Sequence, residues 1–406
     1  MSEAAHIPQL RFPEYSANWS QRLLSDFLIP TLREIEKPKV NYLAIGLRSH
    51  CKGTFQKPDS DPSKIAMEKL FRVKENDLIV NITFAWEGAI AIVKENDEGG
   101  LVSHRFPTYT FDTNITSHHF FKHQFINKRF RYLLDLISPG GAGRNRVMSK
   151  KEFVKLKVPL PSVGEQQKIA AFLTAVDKKI EQLSKKQELL GEYKKGLMQK
   201  IFSQAIRFKA DDGGDYPDWE ELKLGEVARF RRGSFPQPYG NPEWYDDEDG
   251  KPFVQVYDVA GNMRLKSTTK RKISVLAQSS SVFVPKGNVV LTIQGSIGRI
   301  ALTQYDAYVD RTLLIFTGYI KEVNKQFFIY VIYLLFEIEK IKAPGGTIKT
   351  ITKEALTSFK LDLPCFDEQT KIANFLSSID NKIEQVGKQL DESKQFKKAL
   401  LQQMFV

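Results

Sequence analysis

Two stretches of this chain carry hydrophobic positions in heptads. From Leu173 the apolar positions recur as Leu173, Val176, Ile180 and Leu183, pass polar Gln187, and continue through Leu190, Lys194, Leu197 and Ile201. A second run gives Leu376, Ile379, Ile383, Val386 and Leu390, then polar Ser393, Lys397, Leu400 and Met404. An a/d pattern sustained over about four heptads is the signature of a coiled coil. Each run places a lysine, Lys194 or Lys397, at the same seam position, which costs stability but fixes register. Two such helices in one chain have each other as partners, so the pattern predicts an intramolecular, antiparallel pair. The alternative, each helix burying its stripe on its own globular part, fits poorly, because ordinary core helices run about three turns and these run about ten.

The heptads sit inside a longer repeat. Leu160-Pro161-Ser162-Val163-Gly164-Glu165-Gln166-Gln167-Lys168-Ile169-Ala170 returns as Leu363-Pro364-Cys365-Phe366-Asp367-Glu368-Gln369-Thr370-Lys371-Ile372-Ala373, at a constant offset of 203. Trp19, Leu24 and Asp26 match Trp219, Leu224 and Glu226, and Pro139-Gly140-Gly141 matches Pro344-Gly345-Gly346. The predicted fold is α+β: two similar mixed α/β domains, a pair of long helices forming an antiparallel coiled coil, and an internal pseudo-two-fold repeat. The domains read as 1–160 and 206–362, the helices as 161–205 and 363–406, with a linker near Ala210 to Pro217 where Gly, Pro and acid arrive together.

Shorter patterns place the strands. Asp77 to Phe84 and Ala89 to Val93 are β-rich runs around Trp86-Glu87-Gly88, read as a hairpin, and Phe120 to Leu136 has helical spacing. The second half repeats the order with Asn288 to Ile293, a turn at Gly295-Ser296-Ile297-Gly298, Ile300 to Leu302, and a helix through Phe327 to Ile341.

Composition narrows the function. At 406 residues, 42% hydrophobic and 27% charged, the chain is an ordinary globular protein of two units, but its net charge of +12 favours a polyanionic partner. Cys51 and Cys365 show neither disulfide nor zinc spacing, which fits a reducing compartment. The N-terminus lacks the basic and apolar regions of a signal peptide, and the longest apolar run, Phe327 to Phe336, is about half a membrane span. A cytoplasmic protein with no membrane segment is expected.

Catalytic and nucleotide signatures are missing: no phosphate-cradling glycine loop, GxGxxG, GxSxG, HExxH or EF-hand loop occurs. Asn241-Pro242-Glu243-Trp244 lacks the second proline of an amino-methyltransferase motif and reads as a turn. His118, His119 and His123 have no acidic or cysteine companions in sequence, and Asp246 to Asp249 reads as a solvated loop, so no metal site is expected. No catalytic residue is assigned.

Binding remains. Arg48, His50 and Lys52 crowd one loop and His104-Arg105 another, while Arg144, Asn145 and Arg146 follow the first Pro-Gly-Gly turn, with Lys349 in the matching place of the second, where donors on a flexible backbone suit phosphates. Arg231 and Arg232 lead into a Gly-Ser-Phe-Pro loop, Gln294 and Arg299 flank the second hairpin, and Arg311 follows. Arginine pairs with guanine, and glutamine or asparagine with adenine, so these side chains on paired loops suit base readout.

The repeated Leu-Pro-x-x-x-Glu-Gln-x-Lys-Ile-Ala-x-Phe-Leu phrase, the Trp-x-x-x-x-Leu opening of each half and the Pro-Gly-Gly before each helix together resemble the specificity subunit of type I restriction-modification systems. That resemblance spans the chain and implies two target-recognition domains, each reading one half of a bipartite site in double-stranded DNA. It further implies a coiled coil that sets the spacer and docks two methyltransferase subunits, joined by restriction and motor subunits. No cofactor is expected in this chain; AdoMet would belong to the methyltransferase, and ATP and Mg to the restriction subunit. A competing reading is a non-catalytic coiled-coil scaffold with an incidental basic surface, which would show no salt-dependent DNA binding.

Overall fold

The computed structural model describes residues 7–140, 146–342, 351 and 353–405. The chain forms two compact units: unit 1 joins both ends of the chain, residues 1–184 with 388–406, and unit 2 is the continuous stretch 185–387.

In unit 1, β1 (Ser20–Leu23), β2 (Leu28–Pro30), β3 (Glu34–Glu36), β4 (Tyr42–Leu47), β5 (Thr54–Ser60), β6 (Lys69–Arg72), β7 (Leu78–Val80), β8 (Ile90–Ile92), β9 (Leu101–Val102) and β10 (Thr108–Phe111) precede α1 (His118–Gln124), α2 (Lys128–Leu136), α3 (Lys150–Phe153) and β11 (Lys157–Leu160). The long helix α4 (Val163–Phe202) then leaves the unit halfway along its length. Unit 2 holds β12 (Glu220–Lys223), α5 (Leu224–Val227), β13 (Ala228–Arg232), β14 (Lys251–Val254), β15 (Arg271–Ile273), α6 (Val275–Gln278), β16 (Val282–Val284), β17 (Val289–Thr292), β18 (Ile300–Leu302), β19 (Ala307–Val309) and β20 (Leu313–Tyr319). It continues with α7 (Lys325–Lys342), α8 (Lys353–Thr357) and β21 (Lys360–Leu363), and α9 (Phe366–Gln403) returns to unit 1.

Sheet order shows that both units share one design. The ladder β1-β11 answers β12-β21, and the sheet β2-β10-β7-β8 answers β13-β20-β17-β18. The outer sheet β3-β6-β9-β4-β5 matches β16-β19-β14-β15 with β3 added, and each has one parallel pair, β4 with β9 and β14 with β19. Both anticipated hairpins are present, β7 with β8 and β17 with β18. The anticipated helix over Phe120 to Leu136 is instead two helices. The chain breaks at Phe125 to Asn127, where the Asn127 side chain accepts from the Arg129 N–H and starts α2 afresh.

Each unit pairs one half of α4 with the opposite half of α9. In unit 1, Asp177 meets Lys397 at 2.5 Å, and Leu173 shares a core with Leu400 and Met404. In unit 2, Lys194 meets Asp380 at 2.5 Å, and Met198 and Ile201 share a core with Ile372 and Leu376. Rising numbers on one helix meet falling numbers on the other, so the pairing is antiparallel. Leu173, Leu183, Leu376, Ile379, Val386, Leu390 and Leu400 are buried, whereas Val176, Ile180, Leu190, Leu197 and Ile383 are half-buried. Polar Gln187 faces Gly387, where a Cβ would come within 2.7 Å of the amide nitrogen, so glycine makes room for the larger side chain.

The repeated phrase holds each unit shut. Glu165, in the first turn of α4, accepts from Arg11 Nε and Nη2 at 2.6 and 2.7 Å and from the Trp19 indole at 3.3 Å. Glu368, in the first turn of α9, accepts from Arg207 Nε and Nη2 at 3.3 and 2.8 Å and from Trp219 at 2.9 Å. Both carboxylates are buried, and helix N-termini favour their charge. The hydrogen bond and coulombic pull of its carboxylate raise each arginine's pKa. Gln166 and Gln369 donate back to Pro161 and Pro364 carbonyls at 3.0 and 2.9 Å. An aromatic trio completes each joint: Trp19, Phe120 and Phe405 in unit 1, Trp219, Phe327 and Phe202 in unit 2, all at 5.6 to 6.3 Å between centroids.

Candidate functional site

In unit 1 the cationic loop is the tip of the β4–β5 hairpin. His50 and Cys51 adopt left-handed φ angles of 61° and 56°, and their N–H groups donate to the Glu87 and Gly88 carbonyls at 2.7 and 2.8 Å. Arg48, His50 and Lys52 are therefore gathered on one exposed turn. The Arg48 guanidinium donates to the Thr54 carbonyl at 3.0 Å and lies 5.5 Å from the Phe55 ring centroid, which Lys57 also approaches at 5.5 Å. Arg105 is exposed and reaches Thr83 Oγ1 at 3.3 Å.

Arg146 does something different. It donates to the Ser138 and Asp135 carbonyls at 3.0 and 2.9 Å, pairs with the Asp135 carboxylate at 2.7 Å and covers the Trp86 ring at 5.2 Å. That makes it a clamp on the C-terminus of α2, where a cation is favoured. Arg144, Asn145 and Lys349, with the second Pro-Gly-Gly turn, lie outside the described residues.

Unit 2 has no such projecting hairpin among its described residues; β14 and β15 are short, and loops at 233–250 and 255–270 take its place. Arg231 and Arg232 are exposed on β13. Gln294 and Arg299 are exposed on the two sides of the β17–β18 turn, with Arg299 Nη1 reaching the Val259 carbonyl at 3.4 Å. Arg311 is exposed 5.6 Å from the Tyr239 ring.

Around Tyr239 the structure assembles a centre that the sequence pattern did not single out. The Gln255 amide donates to the Tyr239 hydroxyl, and the Tyr257 hydroxyl donates to the Gln255 carbonyl oxygen. Arg271 covers the Tyr245 ring at 3.8 Å, and Lys270 covers Tyr257 at 4.9 Å. Burial pushes the Tyr257 hydroxyl up to about 12, so it stays a donor at neutral pH. The three tyrosines at 239, 245 and 257 were visible in the sequence, but their cations, Arg311, Arg271 and Lys270, come from other segments of the chain.

The arrangement offers positive, hydrogen-bonding loops on rigid sheets, with cations laid over aromatic faces. Among the described residues no group of three or more His, Cys, Asp or Glu side chains is placed to hold a metal ion. Asn241-Pro242-Glu243-Trp244 is a short 3-10 turn that the Asn241 side chain caps. The residues around Ala210 to Pro217 are tied down, Arg207 donating to the Tyr216 and Pro217 carbonyls at 3.2 and 2.7 Å.

The family described as the type I restriction modification DNA specificity domain matches this chain twice, over residues 28–190 and 216–393. The chain belongs to the type I restriction-modification specificity subunits. Specificity subunits are non-catalytic DNA-recognition components of these systems, which accounts for the absent catalytic motifs. Two curated relatives from Methanocaldococcus jannaschii, the putative type I restriction enzyme MjaX specificity subunit and the MjaVIII specificity subunit, are each 28% identical. The matches run over 265 and 270 residues, 63% of this chain in both cases. They span 59% and 62% of those relatives' own length.

Solved structures show the same fold. The type I restriction-modification S subunit from M. genitalium aligns over 98% of this chain and 99% of its own, with a TM-score of 0.62 at 15% identity. A chain from a study of complex assembly and conformational transition of the type I system aligns over 94% and 96%, with a TM-score of 0.57 at 18% identity. Among the described residues no helix of this specificity subunit is long and apolar enough to cross a membrane.

Proposed function

We propose that this specificity subunit reads a bipartite, asymmetric target in double-stranded DNA, one half-site per unit, and docks two methyltransferase subunits on its helix pair. The observation that carries this reading is the repeated scaffold with unlike cationic loops: the Arg48–Lys52 turn in unit 1, and the Arg311, Gln294 and Arg299 loops in unit 2. One scaffold used twice with different side chains produces two different half-sites. Base contacts would come from those loops, and phosphate contacts from the neighbouring lysines.

Docking is supported by two corresponding helix faces. In unit 1 a groove of about 570 Å³ runs between Phe172, Val176 and Lys179 of α4 and Gln389, Glu392 and Phe396 of α9. Phe396 is 52% exposed there, and its counterpart in the repeat, Tyr193 of unit 2, is 56% exposed. Large exposed aromatics at matched positions suit two copies of one partner. AdoMet would be held by that methyltransferase, and ATP and Mg by the restriction and motor subunits of a cytoplasmic complex.

The test is to express the chain with its methyltransferase in a methylation-free host and sequence the genome by a method that detects modified bases. A bipartite interrupted motif, methylated only when this chain is present, is the expected result. An active, bound methyltransferase that leaves no motif would favour the coiled-coil scaffold.

A further inference from the structure

The two units differ at the outer edge of one shared sheet. In unit 1, Asn81 N–H donates to the Ala89 carbonyl and Val93 N–H to the Asp77 carbonyl, both at 2.9 Å, with Ile79 opposite Ala91. Antiparallel pairs alternate, so Ile90 and Ile92 turn their N–H and C=O groups away from β7. Unit 2 has the same phase: Thr292 N–H donates to the Arg299 carbonyl and Thr303 N–H to the Asn288 carbonyl, each at 2.8 Å, so Leu302 faces outward. There the outward edge is taken. Leu302 N–H donates to the Met263 carbonyl at 3.3 Å, and Arg264 bridges Leu302 in the parallel sense.

Ile92 is the counterpart of Leu302, since Leu78 opposes it as Val289 opposes Leu302. Its N–H has no backbone partner among the described residues. The β4–β5 turn covers only the approach to the strand, at Glu87 and Gly88. Beyond that cover lies a cavity of about 450 Å³, with Ala91, Ile92 and Val93 along one wall and His123 on another. His123 is 1% exposed, and neither of its ring nitrogens has a hydrogen-bond partner. Buried polar atoms of that kind are rare in folded proteins unless something else completes them.

We propose that an extended segment of a partner protein adds to β8 inside this cavity, parallel to the strand, its carbonyl accepting from the Ile92 N–H. A carboxamide or hydroxyl side chain on the segment meets His123, because neutral imidazole offers one donor and one acceptor. The mode is strand addition to an open edge, with backbone bonds supplying affinity and one side-chain pocket supplying choice. The segment occupies in unit 1 the position that Met263 and Arg264 occupy in unit 2.

The occupant belongs to the methyltransferase subunit, so this inference rests on the docking reading above. Asp177 of α4 lines the cavity, and it adjoins Val176 and Lys179 of the helix groove. A partner seated in that groove therefore borders the cavity that holds the open edge. Unit 2, whose edge is already filled, gives the second partner copy no equivalent grip. The two methyltransferase copies are held unequally.

Amide hydrogen exchange on the full chain, free and assembled with the methyltransferase, tests this. The Ile92 amide slows on the order of tenfold or more on assembly, while the Leu302 amide, already bonded, does not change. A complex that forms with Ile92 exchanging as before overturns the strand addition and leaves docking standing; failure of an active methyltransferase to bind removes both. Two variants give an independent check. Ile92→Pro deletes an N–H that the internal ladder does not use, as edge strands allow, and His123→Leu removes the side-chain contact. Each weakens assembly several-fold, and at pH 7 His123→Leu does not lower the thermal midpoint of the free chain. Assembly at wild-type affinity by both variants would overturn the proposal.

Discussion

Unit 1 closes on Glu165, Arg11 and Trp19, and unit 2 on Glu368, Arg207 and Trp219, with an aromatic trio behind each. Away from that joint the two units diverge: unit 1 projects a long hairpin, whereas unit 2 folds two tyrosine-lined loops over short strands. Identical joints with unlike loops mean that the repeat preserves how each recognition unit is mounted on the helices and releases what it presents. Selection on DNA target can then change the loops while the mounting stays fixed.

The largest expected effect tests whether the joints are equivalent. Glu165→Ala and Glu368→Ala each take the buried carboxylate from a half-buried arginine and a tryptophan, and although Arg11 keeps the Ala17 carbonyl and Arg207 those of Tyr216 and Pro217, the lost charge-assisted hydrogen bonds cost about 3 kcal/mol. Urea unfolding of the two variants should give similar losses. A loss in only one would show that one joint is ornamental and the equivalence merely geometric.

The joints also show what sequence pattern conveys. The heptads were readable because burial on a helix repeats every 3.5 residues, and the repeat because its offset never slips. The partners of Glu165 were not readable: Arg11 and Trp19 lie 154 and 146 residues away, and nothing local marks an arginine as spoken for. Arg146 looked like a phosphate donor for the same reason, yet it clamps α2 and Trp86. The Tyr239–Gln255–Tyr257 centre escaped notice because aromatic residues in loops carry no period. Asn127, a cap inside an apolar helical pattern, split a helix that spacing alone ran together.

Acid separates the units next. The chain has six histidines, and the five among the described residues, His50, His104, His118, His119 and His123, all lie in unit 1. Burial, with Lys122, Lys397 and His119 nearby, lowers His123 to about 3, and burial with His119 and Lys122 lowers His118 to about 4. A histidine depressed in the folded state binds its proton first in the unfolded chain. Stability is therefore full above about pH 6.5 and falls as pH drops from there toward about 3. At pH 5 the cost from His123 is roughly 2 kcal/mol. Hydrogen exchange at pH 5 and 7 should show unit 1 loosening while unit 2, which carries no histidine, holds; His123→Leu should remove much of the difference. Equal loosening would place the acid sensitivity elsewhere.

The seam lysines sharpen the contrast further. Lys194 pairs with Asp380 and lies 4.8 Å from the Tyr330 ring, whose hydroxyl donates to the same aspartate at 2.6 Å. Lys397 pairs with Asp177 alone among the described residues and is more exposed. Lys194→Met should cost about 2 kcal/mol, because it leaves a partly buried carboxylate and tyrosine without their cation, and Lys397→Met under about 1 kcal/mol. Denaturant midpoints measure both. Equal costs would mean that Tyr330 adds nothing to the unit 2 pair.

The smallest effect asks whether the loops read independently. Arg48→Ala in unit 1 and Arg311→Ala in unit 2 should each weaken DNA binding by the assembled complex by about 1 kcal/mol, the low end for one base or phosphate contact. If Arg48 contacts a base, its variant relaxes one half of the methylated motif and leaves the other intact; if it contacts phosphate, both halves weaken together and the salt dependence of binding falls by about one charge. Arg311 must then act on the opposite half-site. A single variant that relaxes both halves at constant salt dependence would show that the units do not read separately, and the unlike loops would have to be explained by something other than two half-sites.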